Sequence, residues 1–597
     1  MTRSADDLPP AFRSLWRTVQ IGRRAEPGML YASFAMVVFT ALPDALLALW
    51  LKFLTNGVLQ HRRTLVLGAA LGLAVSATAT WYLRVLFDRL NRRFRDRIGI
   101  ALESHVARLL ASVATIEHQE RPEHLDRLSV LRDHVFTLDH LFMSLFSVLG
   151  WVVRLAVTMV LLMSVTPALG LLVVGAVPIL WAASWRPAVE RAVEESVAPH
   201  QRLARHLFTL GTTAAPGKEV RLAGIGPALM TERRASWQRW FEPVSAARRT
   251  TALWHCAAWA VFGSAYVAGI VYVAAGRHAG PASVVLVLVA GSRLSQYVGA
   301  AVGELGFLRG IWLDSSRRLT WLEDYAAASD RGGTGTVPDR LVRGIHLDHV
   351  TFRYPGTERL VLDDVTVDLP AGGVVAIVGE NGAGKTTLVK LLCGLYRPTS
   401  GRVEVDGVDL ATLSLRDWRA RLAGAFQDFA RFELPAQHTV GLGELARLDE
   451  RAAAEAAVGR AGAVDVIDRL PEGLDQQLGP SWDGGVELSH GQWQKLALAR
   501  GFMRDEPLVL VLDEPTSALD AETEHALFER YAEAARAGTG DGRITVLVSH
   551  RFSTVRMADH IVVMDGARVV ETGSHEQLMA QHGTYAELYA IQAAAYG

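Results

Sequence analysis

At 597 residues the chain is too long for one hydrophobic core, and its 50% hydrophobic content is high for a soluble protein. With 61 basic and 62 acidic side chains its formal net charge is −1, which argues against nucleic acid as a partner. Its two cysteines, Cys256 and Cys393, have no metal-ligand spacing and offer no disulfide framework, so both read as apolar packing residues.

Residues 1–27 mix charges and lack the compact apolar stretch of a cleaved signal peptide. They read as a cytoplasmic N-terminal segment. About 20 apolar residues are needed to span a bilayer as a helix. Residues 28–325 supply six such stretches: Gly28–Leu51, Thr64–Phe87, Leu141–Ser164, Ala168–Trp185, Thr251–Ala275 and Pro281–Phe307. The links near 56–63, 166 and 276–280 are short and carry few charges. The long segments after the second span (Arg84, Arg89, Arg92, Arg93, Arg95, Arg97) and before the fifth (Arg202, Arg205, Arg221, Arg233, Arg234, Arg239) are rich in arginine. The positive-inside rule puts those segments, and both termini, in the cytoplasm of a multi-pass cell-membrane protein. Their helical pattern predicts membrane helices prolonged beyond the bilayer and joined at two tips, around Ile116–Pro122 and Pro216–Arg221. Within the spans, Asp44, Arg154 and Arg293 are costly in a membrane. Each either lines a substrate cavity or pairs with a neighbouring helix.

Residues 326–340 include Asp330-Arg-Gly-Gly-Thr-Gly-Thr-Val-Pro-Asp339, a flexible linker. From 341 to 597 short β-rich runs alternate with helical ones. Ile345–Phe352, Val374–Val378, Leu508–Leu512 and Thr545–Val548 read as strands of an α/β domain with a largely parallel sheet. Gly379-Glu380-Asn381-Gly382-Ala383-Gly384-Lys385-Thr386-Thr387 sits between an apolar strand and a helix and reads G-x-x-x-x-G-K-T. Its glycines let backbone N–H groups converge on one anion, and the following helix adds its positive end. Lys385 would reach the β- and γ-phosphates of a nucleotide, and Thr386 would ligate Mg²⁺. Leu508–Leu512 ends in Asp513-Glu514. Buried carboxylates there are costly unless they bind metal or act on a proton. Asp513 is expected to hold Mg²⁺ and Glu514 to act as general base towards water. Tyr354, after the first strand, could stack on adenine. Gln427 could reach Mg²⁺ or the attacking water, and His550 could contact the γ-phosphate.

Leu488-Ser489-His490-Gly491-Gln492 resembles the Leu-Ser-Gly-Gly-Gln signature of ATP-binding cassette (ABC) proteins. With the phosphate loop, Asp513-Glu514, Ser517-Ala518-Leu519-Asp520 and Ser549-His550, it completes the family's motif set in its usual order. The first half resembles the six-helix membrane domain of ABC exporters. The resemblance implies an all-α six-helix transmembrane domain followed by an α/β P-loop NTPase domain. It implies ATP and Mg²⁺ as cofactors, and a half-transporter that pairs with a second one, identical or related. In such a pair Ser489, His490, Gly491 and Gln492 act on the partner's ATP, Ser517–Asp520 form the loop after the carboxylates, and the two tips dock on the cassettes near Gln427. The implied function is ATP-driven export of a lipophilic small molecule, lipid or modified peptide by alternating access, in contact with membrane lipids. An importer or regulatory subunit using the same fold stays open, and six spans argue against a soluble ABC ATPase. His490 departs from the family's glycine. It is either a tolerated variant, to which a left-handed backbone would be the main objection, or a weakened signature.

Overall fold

The structure is a computed structural model. It describes residues 8–121, 124, 125, 127, 128, 131, 138–276, 280–329, 333–514, 542–549 and 551–596. Its internal contacts divide the chain into two compact units, Met1–Leu110 with Arg127–Glu323, and Ala111–Asp126 with Asp324–Gly597.

The first unit is helical. After α1 (Ala11–Ala25) come α2 (Pro27–Leu59), α3 (Arg63–Ser112), α4 (His140–Met163), α5 (Leu172–Ser196), α6 (Ala198–Thr212), α7 (Ala214–Leu222), α8 (Gly226–Ala275) and α9 (Pro281–Phe307). Six of the described helices are long and apolar enough to cross a membrane: α2, α3, α4, α5 with the short turn before it, α8 and α9. They coincide with the six expected spans, and the protein is an integral membrane protein. Both α3 and α8 have 50 residues. At 1.5 Å per residue each is about 75 Å long, more than twice the ~30 Å hydrocarbon core. The arginine-rich portions are therefore continuous with the membrane helices. Helices α2, α4 and α9 pack on one another, and α5 packs on α8. One core gathers Phe94, Phe142 and Phe146, with rings 5.4 to 5.8 Å apart. A second gathers Ile179, Phe262, Leu286 and Leu294.

The second unit contains the cassette. β1 (Gly344–Phe352), β2 (Leu362–Pro370), β4 (Ser400–Val405) and β5 (Val408–Asp409) form an antiparallel sheet in the order β2-β1-β4-β5. β3 (Val374–Gly379), β6 (Leu422–Ala425), β7 (Val509–Asp513), β8 (Ile544–Val548), β9 (His560–Asp565) and β10 (Arg568–Gly573) form the other, ordered β10-β9-β3-β8-β7-β6. Strands β9, β3, β8, β7 and β6 run parallel, and β10 is antiparallel to β9. Val374 to Val378 are all buried, as expected of a central parallel strand covered on both faces. The carboxyl ends of β3, β7 and β8 lie side by side, so the phosphate loop, Asp513-Glu514 and Ser549 emerge at one edge. Sequence order alone did not fix the neighbours of β3, which are β8 and β9.

The first tip belongs to this unit. A short 3-10 turn, Glu117–Gln119, follows residues 113–116 laid on the cassette. Ile116 N donates to Leu395 O (3.2 Å), and Lys390 Nζ stands 3.9 Å from Glu120 Oε1. The Tyr396 hydroxyl donates to Glu120, and the Arg419 guanidinium donates to the carbonyls of Ala114 and Gly394. The tip thus meets the helix Lys385–Leu392 at its far end. Pro122, expected to end the tip, lies outside the described residues. The second tip is the helix α7, in which Pro216 and Gly217 are accommodated.

Candidate nucleotide site

The phosphate loop curls where β3 gives way to the helix Lys385–Leu392. Gly384 has φ +106, and a Cβ there would meet Val361 O at 2.6 Å. Gly379 has φ +150, with Met564 O 2.1 Å from where a Cβ would stand. Both glycines are required by the backbone. A cleft of 790 Å³ opens over the loop, lined by Gly379, Glu380, Asn381, Gly382, Gly384, Lys385, Thr386 and Thr387 together with Gln427, Glu514 and Ser549. Ala383 is buried beneath it. Two further lining residues, Leu588 and Ile591, come from the C-terminal helix Thr584–Tyr596. Sequence reading missed them, since nothing in an apolar helix position signals what it faces.

Lys385 is buried, and its Nζ donates to the carbonyls of Gly379 (2.8 Å) and Glu380 (3.0 Å). Burial pulls its pKa down, opposed by the Glu514 and Asp513 carboxylates. Asp513 is fully buried, and burial pushes its carboxyl up to about 6, against the Thr386 hydroxyl, which stands 3.4 Å from Oδ1. Its Oδ2 has no hydrogen-bond partner among the described residues. A buried carboxylate oxygen left without a donor, beside a threonine hydroxyl, is the donor set a divalent cation takes. These residues therefore fit Mg²⁺.

Glu514 has a left-handed backbone, φ +46, held by its N–H to Val548 O at 3.0 Å. Such a conformation costs about 1–3 kcal/mol for a residue with a Cβ and clusters at functional positions. Its Oε2 accepts from Gln427 Nε2 at 3.0 Å, and its carbonyl accepts from the buried Gln494 Nε2 at 3.3 Å. Gln494 was not singled out from sequence. Tyr354 is not among the residues that line the cleft. Its hydroxyl is 2.9 Å from Thr387 Oγ1, and its ring packs edge-on against Phe352 and Tyr396. His550 and Ser517, Ala518, Leu519 and Asp520 lie outside the described residues.

Ser489, His490, Gly491 and Gln492 are not part of this cleft. They begin the helix His490–Gly501, closed by a capping box. Ser489 Oγ accepts from Gln492 N (3.3 Å), and Gln492 Oε1 accepts from Ser489 N (2.8 Å). His490 is helical and is absent from the residues with positive φ, so its side chain meets no backbone objection.

A family model described as "ABC transporter" matches residues 362–517, which contain the phosphate loop, the signature and the paired carboxylates. Residues 362–517 thus carry an ABC transporter domain. This ABC cassette is similar to proteins named ATP-dependent lipid A-core flippase. It is 42% identical over 256 residues to the one from Ralstonia nicotianae, covering 42% of each chain. It is 40% identical over 269 residues to the one from Pseudomonas aeruginosa, covering 45% of this chain and 42% of that one. The chain spans less than half the length of these relatives. Beyond the ABC cassette, the fold matches a solved structure described as a bacterial Atm1-family ABC exporter with ATP bound. The TM-score is 0.76 at 23% identity, covering 95% of this chain and 100% of the other. The chain thus has the exporter fold, with membrane helices and ABC cassette in one polypeptide.

In the membrane unit, Asp44, Arg154 and Arg293 come together from α2, α4 and α9. Arg293 pairs with Asp44 Oδ1, Tyr297 OH donates to Asp44 Oδ2 (2.7 Å), and Arg154 Nε is 3.4 Å from the same oxygen. The Arg154 guanidinium also lies 4.8 Å over the Trp151 ring.

Proposed function

We propose that the protein is one half of an ATP-driven exporter, acting as a dimer with an identical or related subunit. The observation that carries the reading is the convergence of Lys385, Thr386, Gln427 and Glu514 on one cleft, in a polypeptide that also supplies six membrane-length helices. In this reading Lys385 leaves the two loop carbonyls and turns to the β- and γ-phosphates. Thr386, Asp513 and Gln427 would hold Mg²⁺, which when bound neutralises charge on the phosphate oxygens. Glu514, oriented by Gln427, accepts the proton of the attacking water. His550 is proposed to contact the γ-phosphate, Tyr354 the adenine, and Ser517–Asp520 the region beyond the carboxylates. Ser489, His490, Gly491 and Gln492, standing apart from their own cleft, would close over the partner's phosphate loop. The arginine-rich extensions of α3 and α8 favour a cytoplasmic cassette and cytoplasmic termini. Closure of the paired cassettes would then reach the membrane helices through the tips and bias them between inward- and outward-open states.

The proposed substrate is an amphiphile with an anionic group, in keeping with relatives named for lipid A-core. Two arginines share one aspartate at the cluster of Asp44, Arg154 and Arg293, so among the described residues the cluster carries a net positive charge in a membrane unit. Beside it, the same two helices α4 and α9 contribute Leu155 and Leu294 to an apolar pocket of 520 Å³. The deciding experiment is ATP-dependent movement of fluorescent anionic and zwitterionic phospholipids in inside-out proteoliposomes. Glu514→Gln is expected to bind ATP, to lower turnover at least about 100-fold and to abolish transport. Near-normal turnover sinks the general-base assignment. Arg154→Ala should lose preference for the anionic lipid, and equal handling of both lipids by the unaltered protein sinks the substrate assignment.

A further inference from the structure

His490 does more than stand in for a glycine. Its ring packs tilted against Phe429, with centroids 5.2 Å apart and planes at 31°. Arg431 Nη2 reaches His490 Nδ1 at 3.4 Å, and Arg431 Nη1 stands 3.9 Å from Glu487. Phe429 and Arg431 belong to the segment that begins at Gln427. Three turns further along the helix of His490, Arg500 donates to Ala430 O (3.3 Å) and lies 4.7 Å over the Phe432 ring. Glu433 accepts from Trp482 Nε1 at 3.1 Å and, through its carbonyl, from Gln477 Nε2 at 2.9 Å. Every residue from Phe429 to Glu433 is thus fastened to the stretch 477–500. At the front end of that segment Gln427 holds the Glu514 carboxylate. A glycine at position 490 offers no side chain to Phe429 or Arg431, and the front of the signature helix loses both contacts.

We infer that His490 is a positioning residue that ties the signature turn to the segment carrying Gln427. This rests on the proposed function, in which the signature faces the partner's ATP while Gln427 and Glu514 serve the subunit's own. A rigid tie between them makes the state of one ATP site felt at the other. The ring contact and the Arg431 contact form a contiguous path, and contiguity becomes coupling only when a double-mutant cycle finds it.

The test measures ATPase rate against ATP concentration for the full-length protein with its partner subunit in proteoliposomes. The variants compared are His490→Gly, Phe429→Ala, the double variant and His490→Phe. The unaltered protein is expected to give a Hill coefficient clearly above 1. His490→Gly and Phe429→Ala should each bring it close to 1, and the double variant should go no further than either, because both break one contact. His490→Phe keeps the ring contact and should restore most of the cooperativity, which a merely misfolded signature would not. A Hill coefficient of 1 in the unaltered protein overturns the inference, as do independent, additive effects of the two single variants. Glu514→Gln in the same assay separates the two levels. If it abolishes turnover while His490→Gly and Phe429→Ala leave cooperativity intact, the tie fails and the transporter reading stands. If Glu514→Gln leaves turnover untouched, the general-base reading of the cleft on which the inference rests fails instead.

Discussion

Gly384 carries a requirement that no other residue type meets. Its φ of +106 and the approach of Val361 O to 2.6 Å from a hypothetical Cβ combine backbone strain with a backbone clash. Gly384→Ala is therefore expected to cost about 1–3 kcal/mol and to lower ATP affinity by at least tenfold, read by thermal melting and nucleotide binding on the same preparation. Retained affinity with retained stability would contradict the tightness of that turn. Residues of this kind were legible in the sequence because the pattern from Gly379 to Thr386 leaves few ways to fold between a strand and a helix. Leu588, Ile591 and Gln494 were not legible. Their roles depend on which distant segment lies opposite, and a leucine, an isoleucine or a glutamine in a helix says nothing of that. His490 lies between these cases: the departure was visible, but its partners Phe429 and Arg431 lie some 60 positions earlier in the chain.

At the level of elements, the start of β1 is fixed by an anion-binding turn. Asp406 accepts the backbone N–H groups of Val342 (2.9 Å), Arg343 (2.8 Å) and Gly344 (2.9 Å). Burial alone would raise its carboxyl, but those three donors outweigh burial and hold it below its ordinary 3.8. A depressed folded pKa contributes stability that is present above the unfolded value and is lost as pH falls through the folded one. Asp406→Asn should therefore cost about 1–2 kcal/mol at pH 7, and the gap in melting temperature should narrow below about pH 4. A gap that is the same at pH 7 and at about pH 2, or that widens in acid, would rule out the carboxylate as its source. Membrane helices were the easiest elements to read, since 20 apolar residues in series have few alternatives. Their prolongation in α3 and α8 followed from helical periodicity. The neighbours of β3 depended on long-range pairing that composition does not encode.

Across the whole molecule, the tip at residues 113–121 counts with the cassette by its contacts, although its chain neighbours are membrane helices. Arg419 is central there, donating to Ala114 O and Gly394 O and to Cys393 O at 3.2 Å. Burial pulls its guanidinium pKa down, and three carbonyls receive its N–H groups in place of water. Arg419→Ala should leave basal ATP turnover within about threefold while cutting transport per ATP by tenfold or more, a coupling loss of the usual allosteric size. Equal losses in both would mean that the residue serves cassette stability alone. That a tip would form here was legible from its proline and charge cluster. Its seat beside Leu395, Tyr396 and Arg419 was not, because the groove is built from residues nearly 300 positions away.

The resting Lys385 also makes the cleft addressable by covalent chemistry. Its amine is buried and its pKa lowered, so a larger share is neutral and nucleophilic than for an exposed lysine, while two carbonyls keep it aimed into the loop. The chain has only five lysines, Lys52, Lys218, Lys385, Lys390 and Lys495. An acyl phosphate of ATP brings a reactive carbonyl to this amine. Attack forms an amide, ATP departs as the phosphate leaving group, and the amine's proton goes to solvent. Peptide mapping should find the label on Lys385, displaced by excess free ATP, with Lys218 and Lys495 unmarked. Even labelling across the lysines would deny the loop its hold on nucleotide. In an arginine-dominated protein, acylation would thus report occupancy of one site in the intact membrane, with no engineered tag.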